Sequence, residues 1–293
     1  MEVSITAVEG NRQRLDGGAM FGNAPKALWQ RWLPPDAENR IELACRCLLI
    51  ECEGQKILCE TGIGAFFEPK MAERYGIQTP ERHRLLENLA ALGIKETEID
   101  MVILSHLHFD HAGGLLSPFS TSPTRLLFPK ATYVVGTESF TRAQQPHLRD
   151  RASFIPELAP LLLDSGRLLQ IDHSDAQGKI PGPLQDRISF YFTHGHTPGH
   201  MHTLLQGDTH SVFFCGDLIP GLSWLHLPIT MGYDRFPEKL IDEKKDIYTP
   251  ACQENWYLFY THDSRVAMSQ CKQDEKGRML SLNEIEVPLR WAL

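Results

Sequence analysis

Seven of the chain's 13 histidines fall in two short windows, three between residues 106 and 111 and four between 194 and 202. The first window reads Ser105-His106-Leu107-His108-Phe109-Asp110-His111-Ala112-Gly113-Gly114, the pattern H-x-H-x-D-H at the end of an apolar run. His106 and His108 are two residues apart, so a nearly extended backbone aims both imidazoles the same way. Asp110 and His111 follow in the turn or helix beyond and can serve a neighbouring ion. Imidazole and carboxylate together are the ligand set of zinc and other first-row metals. Six residues can match by chance, so further donors are needed elsewhere. They occur in Thr193-His194-Gly195-His196-Thr197-Pro198-Gly199-His200, in Phe213-Phe214-Cys215-Gly216-Asp217, and in Phe259-Tyr260-Thr261-His262-Asp263. Each sits where an apolar strand pattern stops, as loop sites on a rigid scaffold do.

The elements that must carry these loops alternate between strand and helix patterns, which predicts an α/β architecture. Strands are expected at Val3–Val8, Leu43–Glu51, Lys56–Glu60, Met101–Ser105, Thr132–Val135, Leu168–Ile171, Ile188–Phe192, Thr203–Gln206, Val212–Cys215 and Tyr257–Tyr260. The spacing of Leu85, Leu89 and Leu92 predicts a helix over Pro80–Leu92, capped by Thr79 and ended by Gly93. Further helices are expected at 137–145 and 237–247, and 146–166 reads as a lid or broken helix. Residues 10–40 read as an irregular arm. No linker interrupts the pattern, so residues 1–293 are expected to form a single domain.

With Lys+Arg at 29 and Asp+Glu at 37, the formal charge is −8. That balance argues against nucleic acid, which needs clustered cations. No run approaches the roughly 18 apolar residues of a membrane span, and Met1–Glu9 lacks the features of a signal peptide. A cytoplasmic location is expected, with a small molecule as partner. The seven cysteines are an odd, scattered set, expected to be reduced and mostly buried. The Cys45-x-Cys47 pair lacks the spacing of a structural zinc site.

The order H-x-H-x-D-H, G-H-T-P-G-H, G-D and a late strand-end His resembles the metallo-β-lactamase superfamily. The four blocks span residues 106–262, and the early strands extend the likeness to nearly the whole chain. The resemblance implies a four-layer αββα sandwich with two divalent transition metal ions at one sheet edge. Zinc is the expected metal, with iron, manganese or cobalt as alternatives. It implies His106, His108 and His200 at one metal, Asp110, His111 and His262 at the other, and Asp217 bridging them with a water or hydroxide. His194, His196 and His202 are expected to support or pack against these ligands, and His83, His147, His173 and His210 to be solvated. In Cys59-Glu60-Thr61-Gly62, Glu60 stands where the family usually has the Asp that supports the ligand loop.

Two close metals acidify a shared water and polarise a carbonyl or phosphoryl oxygen. Hydrolysis is therefore expected, with Asp110 moving a proton to the leaving group. No G-x-S-x-G elbow offers a serine nucleophile. The arm, with Leu15–Gly22 and Pro25–Trp29, is similar to that of the branch containing acyl-homoserine lactonases and relatives of methyl parathion hydrolase. That implies a lactone or ester substrate and a quorum-quenching role. A phosphotriesterase and an iron-dependent oxidoreductase on the same fold are the alternatives. Met20 and Phe21 from the arm, and His226 and Tyr233 from the segment after Asp217, are the candidate substrate contacts. The arm could also cross to a second subunit in a homodimer.

Overall fold

The computed structural model describes residues 2–175 and 180–293. In chain order the strands are β1 (Val3–Glu9), β2 (Gln13–Asp16), β3 (Arg40–Leu43), β4 (Arg46–Cys52), β5 (Gln55–Cys59), β6 (Met101–Leu104), β7 (Thr132–Gly136) and β8 (Leu168–Ile171). They continue as β9 (Ile188–Thr193), β10 (His200–Gln206), β11 (Ser211–Phe214), β12 (Tyr257–Phe259), β13 (Val266–Gln273), β14 (Met279–Glu286) and β15 (Arg290–Ala292). One sheet has the order β15-β1-β4-β5-β6-β7-β8 and the other β14-β13-β12-β11-β10-β9, while β2 and β3 pair separately. The pairs β5–β6, β6–β7, β7–β8 and β11–β12 are parallel.

Side-chain alternation along the strands explains why the layers stack as they do. Successive residues point to opposite faces. In β6, Met101 and Ile103 face a core shared with the second sheet, whereas Val102 and Leu104 face a core shared with helices. In β11, Val212 and Phe214 enter the same inter-sheet core, and Phe213 points the other way. Ile5, Ile50, Ile57 and Val134 thus meet Phe190, Met201, Phe259 and Met268 between the sheets. Outside the first sheet, Leu85, Leu89, Phe140 and Leu162 come from helices. Outside the second lies the helix Pro237–Gln253, whose Leu240, Ile247, Tyr248 and Ala251 form a buried stripe. Full burial of one such Leu or Phe is worth about 1.5–3 kcal/mol. Strands apolar on both faces can only be buried between layers, and helix–sheet–sheet–helix is the result. No helix among the described residues is long and apolar enough to cross a membrane.

Several expectations shift. The run expected as one strand, Leu43–Glu51, breaks at Ala44-Cys45, and β3 leaves it to pair with β2. The arm is therefore ordered: it holds a two-stranded sheet and helical turns at Gly17–Phe21 and Lys26–Trp29. The helix expected from Pro80 begins at Arg84, and Thr79 has φ +51. The reason is the arm: the Asn11 amide binds the carbonyls of Thr79 and Arg82 at 3.1 and 2.8 Å, holding this stretch out of the helix. His83 replaces Thr79 as the cap, its Nδ1 accepting from the Leu86 amide at 3.4 Å. It is buried rather than solvated, and its Nε2 meets the Gly114 carbonyl at 3.0 Å. Residues 146–166 resolve into a short turn at 151–153 and a helix at Leu158–Asp164. The strands β13 to β15 were not expected; β14, largely exposed, carries little apolar alternation.

Lys244 interrupts the buried stripe of the last helix. Its Nζ donates to the carbonyls of Trp224 and Ile229 at 2.7 Å each, pinning the segment that follows Asp217. Burial pushes its pKa down to about 7, against the pull of Asp234 and Cys215. Below pH 7 the ammonium is present in both folded and unfolded chains and its burial cost is fully felt. Above that, the folded chain releases the proton while the unfolded chain keeps it to about pH 10.4. This residue should therefore add stability as pH rises from 7 to 10, by at most about 1.4 kcal/mol per pH unit. Urea unfolding at pH 7 and 9 should show that increment in the wild-type chain and lose it in Lys244→Met. Equal pH slopes for the two proteins would refute it.

Candidate metal centre

The site lies along one edge, where the parallel strands β6, β11 and β12 end. His106, His108, Asp110 and His111 follow β6, Asp217 follows β11, and His262 follows β12. The loop from β9 to β10 brings His196. The two sheets are joined here by a bond from the Met201 amide to the Ser105 carbonyl, 2.8 Å. The turn into Asp217 needs glycine: Gly216 has φ +49, and a Cβ there would lie 2.5 Å from His200 Nε2. Behind His111, a Cβ on Gly114 would lie 2.0 Å from the Thr61 carbonyl oxygen, so only glycine lets the loop seat against the strand.

Two groups of donors form. In the first, His106, His108, His196 and Asp217 converge. Their ring nitrogens are close: His106 Nε2 to His108 Nδ1 is 2.9 Å, and His196 Nε2 to His108 Nδ1 is 3.3 Å. In the second, Asp110, His111 and His262 converge, with the two Nε2 atoms 3.2 Å apart. Asp217 lies between the groups. Its Oδ2 is 3.2 Å from His196 Nε2, and its Oδ1 is 3.3 and 3.1 Å from the Nε2 atoms of His111 and His262.

Hydrogen bonds at the back of the rings settle which nitrogen faces inward. A carbonyl or carboxylate can only accept, so a ring nitrogen against one must carry the proton, and its partner nitrogen keeps a lone pair. His262 Nδ1 donates to the Ala44 carbonyl at 2.6 Å, His196 Nδ1 to Asp234 at 2.9 Å, and His111 Nδ1 to Glu60 at 2.8 Å. His106 Nδ1 bonds Ser105 Oγ at 2.9 Å, and that hydroxyl donates to the other Glu60 oxygen. One carboxylate thus orients a ring in each group, the outer support that metal-binding histidines need. Glu60 also groups spatially with His106 and His111, but it faces their outer nitrogens. Its backbone is left-handed, φ +64.

Electrostatics favour a cation. Burial, reinforced by neighbouring imidazoles, pushes His106, His108 and His200 well below the ordinary histidine value, leaving them neutral. Burial acts the same way on His111, but Glu60, Asp217 and Asp110 outweigh it and hold that ring well above its ordinary value. Burial raises Asp217, yet His111, His262 and His196 prevail and hold it well below the usual carboxylate range. Positive charge is thus favoured where Asp217 and His111 meet. Asp217 Oδ1 is buried without a hydrogen-bond partner. Nitrogens bound about 2.05 Å from one tetrahedral zinc lie about 3.3 Å apart, close to the separations here. The residues fit a divalent metal in each group.

His200 is the correction among the predicted ligands. It opens β10 and is buried, but its Nε2 receives the Asp217 amide at 3.4 Å and its Nδ1 lies 3.4 Å from Thr193 Oγ1. It packs beneath the Asp217 turn, and His196 takes the position expected for it. The reason is register: His200 pairs with Thr193 in the ladder, so its side chain is committed to the sheet, while His196 lies free in the loop. Of the substrate candidates, Met20 and Tyr233 line a cavity of about 510 Å³ that also reaches His108, Asp110, Asp217 and His262. Phe21 does not: it stacks between Trp29 and Trp224, at 5.4 and 4.7 Å. His226 stacks on Trp32 at 4.8 Å, outside the cavity.

Sequence reasoning missed Gln13. It is fully buried on β2, and its Nε2 donates to Asp110 Oδ2 at 2.7 Å. A lone Gln in an arm carries no motif; only the β2–β3 pairing reveals where it lands. Asp234, the partner of His196, was equally silent.

Fold and centre together define a class: αββα sandwiches with imidazole and carboxylate donors gathered at one sheet edge. The chain belongs to the metallo-beta-lactamase superfamily, whose family profile matches residues 40–262. An N-acyl homoserine lactonase of Bacillus cereus is 27% identical over 176 residues, which is 57% of this chain and 60% of that protein. The chain thus spans about 60% of the length of such curated relatives. A probable metal-dependent hydrolase of Staphylococcus aureus has the same fold, with a TM-score of 0.82 at 23% identity, covering 97% of this chain and 98% of that one. So does AidC, a dizinc quorum-quenching lactonase solved with N-hexanoyl-L-homoserine, at 0.71 and 19% identity, covering 97% and 95%.

If Glu60 supports both groups, Glu60→Gln should weaken metal binding about 10–100-fold while leaving the chain folded. Competition with a chromophoric chelator measures this, and unchanged affinity would remove the assigned role.

Proposed function

We propose that the chain is a dinuclear metal-dependent hydrolase that opens lactones or cleaves esters, with N-acyl-homoserine lactones as the leading substrate class. The observation that carries this is Asp217, whose two oxygens face two separate donor groups. In this reading His106, His108 and His196 hold one ion, Asp110, His111 and His262 hold the other, and Asp217 spans both. The names of the relatives support lactone chemistry, and the apolar cavity wall of Leu15, Met20, Phe109 and Met231 suits an acyl group.

Two bound ions supply Lewis acidity and lower the pKa of a water towards neutrality. The chain's own residues do the rest. Asp110 takes the proton of the attacking water and passes it to the leaving alkoxide oxygen. The Gln13 amide fixes Asp110 Oδ2, which leaves Oδ1 turned to His111, 3.7 Å from its Nε2. Tyr233 lines the same cavity, and burial, with Asp110 and Asp16 nearby, pushes its hydroxyl up to about 12. It stays protonated near neutral pH and can donate to the oxygen that gains charge.

Metal analysis after reconstitution should give about two equivalents per chain; less than one would sink the dinuclear reading. His196→Ala should lose about one equivalent and His200→Ala should keep both, an ordering that reverses if the strand-end histidine is the ligand. Lactones, aryl esters and phosphotriesters assayed side by side should rank in that order. Strong phosphotriester turnover without lactone turnover would overturn the substrate class.

A further inference from the structure

The rim of the catalytic cavity carries a charge that hydrolysis alone does not require. Four arginines line it, Arg14, Arg40, Arg74 and Arg149, on a chain whose formal charge is −8. Two are matched locally. Arg14 lies 3.8 and 3.4 Å from Asp36 and Glu42, and Arg40 pairs with Glu38 and lies 3.5 Å from Asp36. The other two are unmatched. Arg74 ends the helix Pro69–Arg74, and its side chain makes no hydrogen bond or ion pair among the described residues. Among the described residues Arg149 makes a single side-chain bond, from Nη2 to the Gly232 carbonyl at 3.1 Å, beside Tyr233. Immediately behind the rim the pattern is opposite: Arg142 and Arg235 share Asp150, at 2.7 and 3.5 Å. Among the described residues the fold supplies a counterion to the arginines behind the cavity wall and none to the exposed Arg74 and Arg149 on its lining.

The acids within the cavity do not answer them. Asp16 is engaged by the Asn39 amide at 2.8 Å and the Ala19 backbone at 2.8 Å. Glu38 is paired with Arg40, and Asp110 and Asp217 belong to the metal centre. The cavity therefore runs from an electrophilic floor through an apolar wall to a cationic mouth. A guanidinium offers five N–H donors in a planar fork matched to carboxylate or phosphate oxygens.

We propose that the natural substrate carries an anionic group, a carboxylate or a phosphate, remote from the scissile bond, and that Arg74 and Arg149 bind it. This rests on the hydrolase reading and narrows it: within lactones and esters, those with an anionic end displace simple alkyl-ended N-acyl-homoserine lactones as the preferred substrates. The arginines set specificity and act on substrate binding, with no part in proton transfer.

The test uses the metal-loaded enzyme and three matched ester or lactone series whose acyl chains end in methyl, carboxylate or phosphate at equal length. An anionic end should raise kcat/KM about 10-fold over methyl, mainly through KM, and added NaCl should erode that preference. Arg74→Gln with Arg149→Gln should abolish it, while Arg290→Gln, exposed elsewhere, should retain it. The carboxylate and phosphate arms tell which anion is preferred. Equal turnover of all three ends, or a preference that survives the double variant, overturns the proposal. Calorimetric binding of the corresponding amides, which resist hydrolysis, gives a decision independent of turnover. About 10-fold tighter binding of an anionic amide, lost in the double variant, supports it, and equal affinity with the methyl amide refutes it. Absence of turnover on every series, with anionic amides still bound preferentially, would strike the hydrolase reading alone.

Discussion

Four imidazoles of the centre, those of His106, His111, His196 and His262, turn one nitrogen inward and place the other on an acceptor in the protein. Much of the surrounding structure answers that demand. Glu60 serves His111 directly and His106 through Ser105, Asp234 serves His196, and the Ala44 carbonyl serves His262. Ala44, Glu60 and Asp234 lie far along the chain from the rings they serve, so the sandwich must close before those rings are oriented. Asp217 completes the scheme from inside, as a carboxylate kept ionised by the rings around it.

Arg46 shows how firmly the late half of the site is tied to the early half. Its guanidinium is fully buried and donates to the carbonyls of Tyr260, Val266 and Asp263 at 2.9, 3.1 and 2.7 Å, with Glu9 as counterion at 2.7 Å. It thus clamps the turn that carries His262. A buried charge left unpaired is costly, so this clamp holds the turn in one geometry.

Much of this was legible beforehand because the governing signals are local. Short, continuous apolar runs mark β6, β11 and β12, and donors placed at their ends mark one edge. The family's order of blocks then gave the sandwich and six of the seven inward donors that the structure gathers. His200 was misjudged because a strand beginning with histidine looks like a strand-end ligand; only the ladder register with Thr193 shows that its side chain belongs to the sheet. Gln13, Asp234 and the buried His83 were illegible for a different reason. Each acts through a partner between about 30 and 100 residues away, and one sequence contains no trace of such pairings. The arm read as irregular because β2 and β3 are four residues each and separated by turns and short helices.

Chain order gives the bridging carboxylate a temporal meaning. As the polypeptide leaves the ribosome, His106, His108, His196 and Asp217 have all emerged about 45 residues before His262. The first donor group is chemically complete in a nascent chain whose second group still lacks His262. His262 is thus the donor that arrives last, and the second group closes only when the strand that carries it docks beside β11.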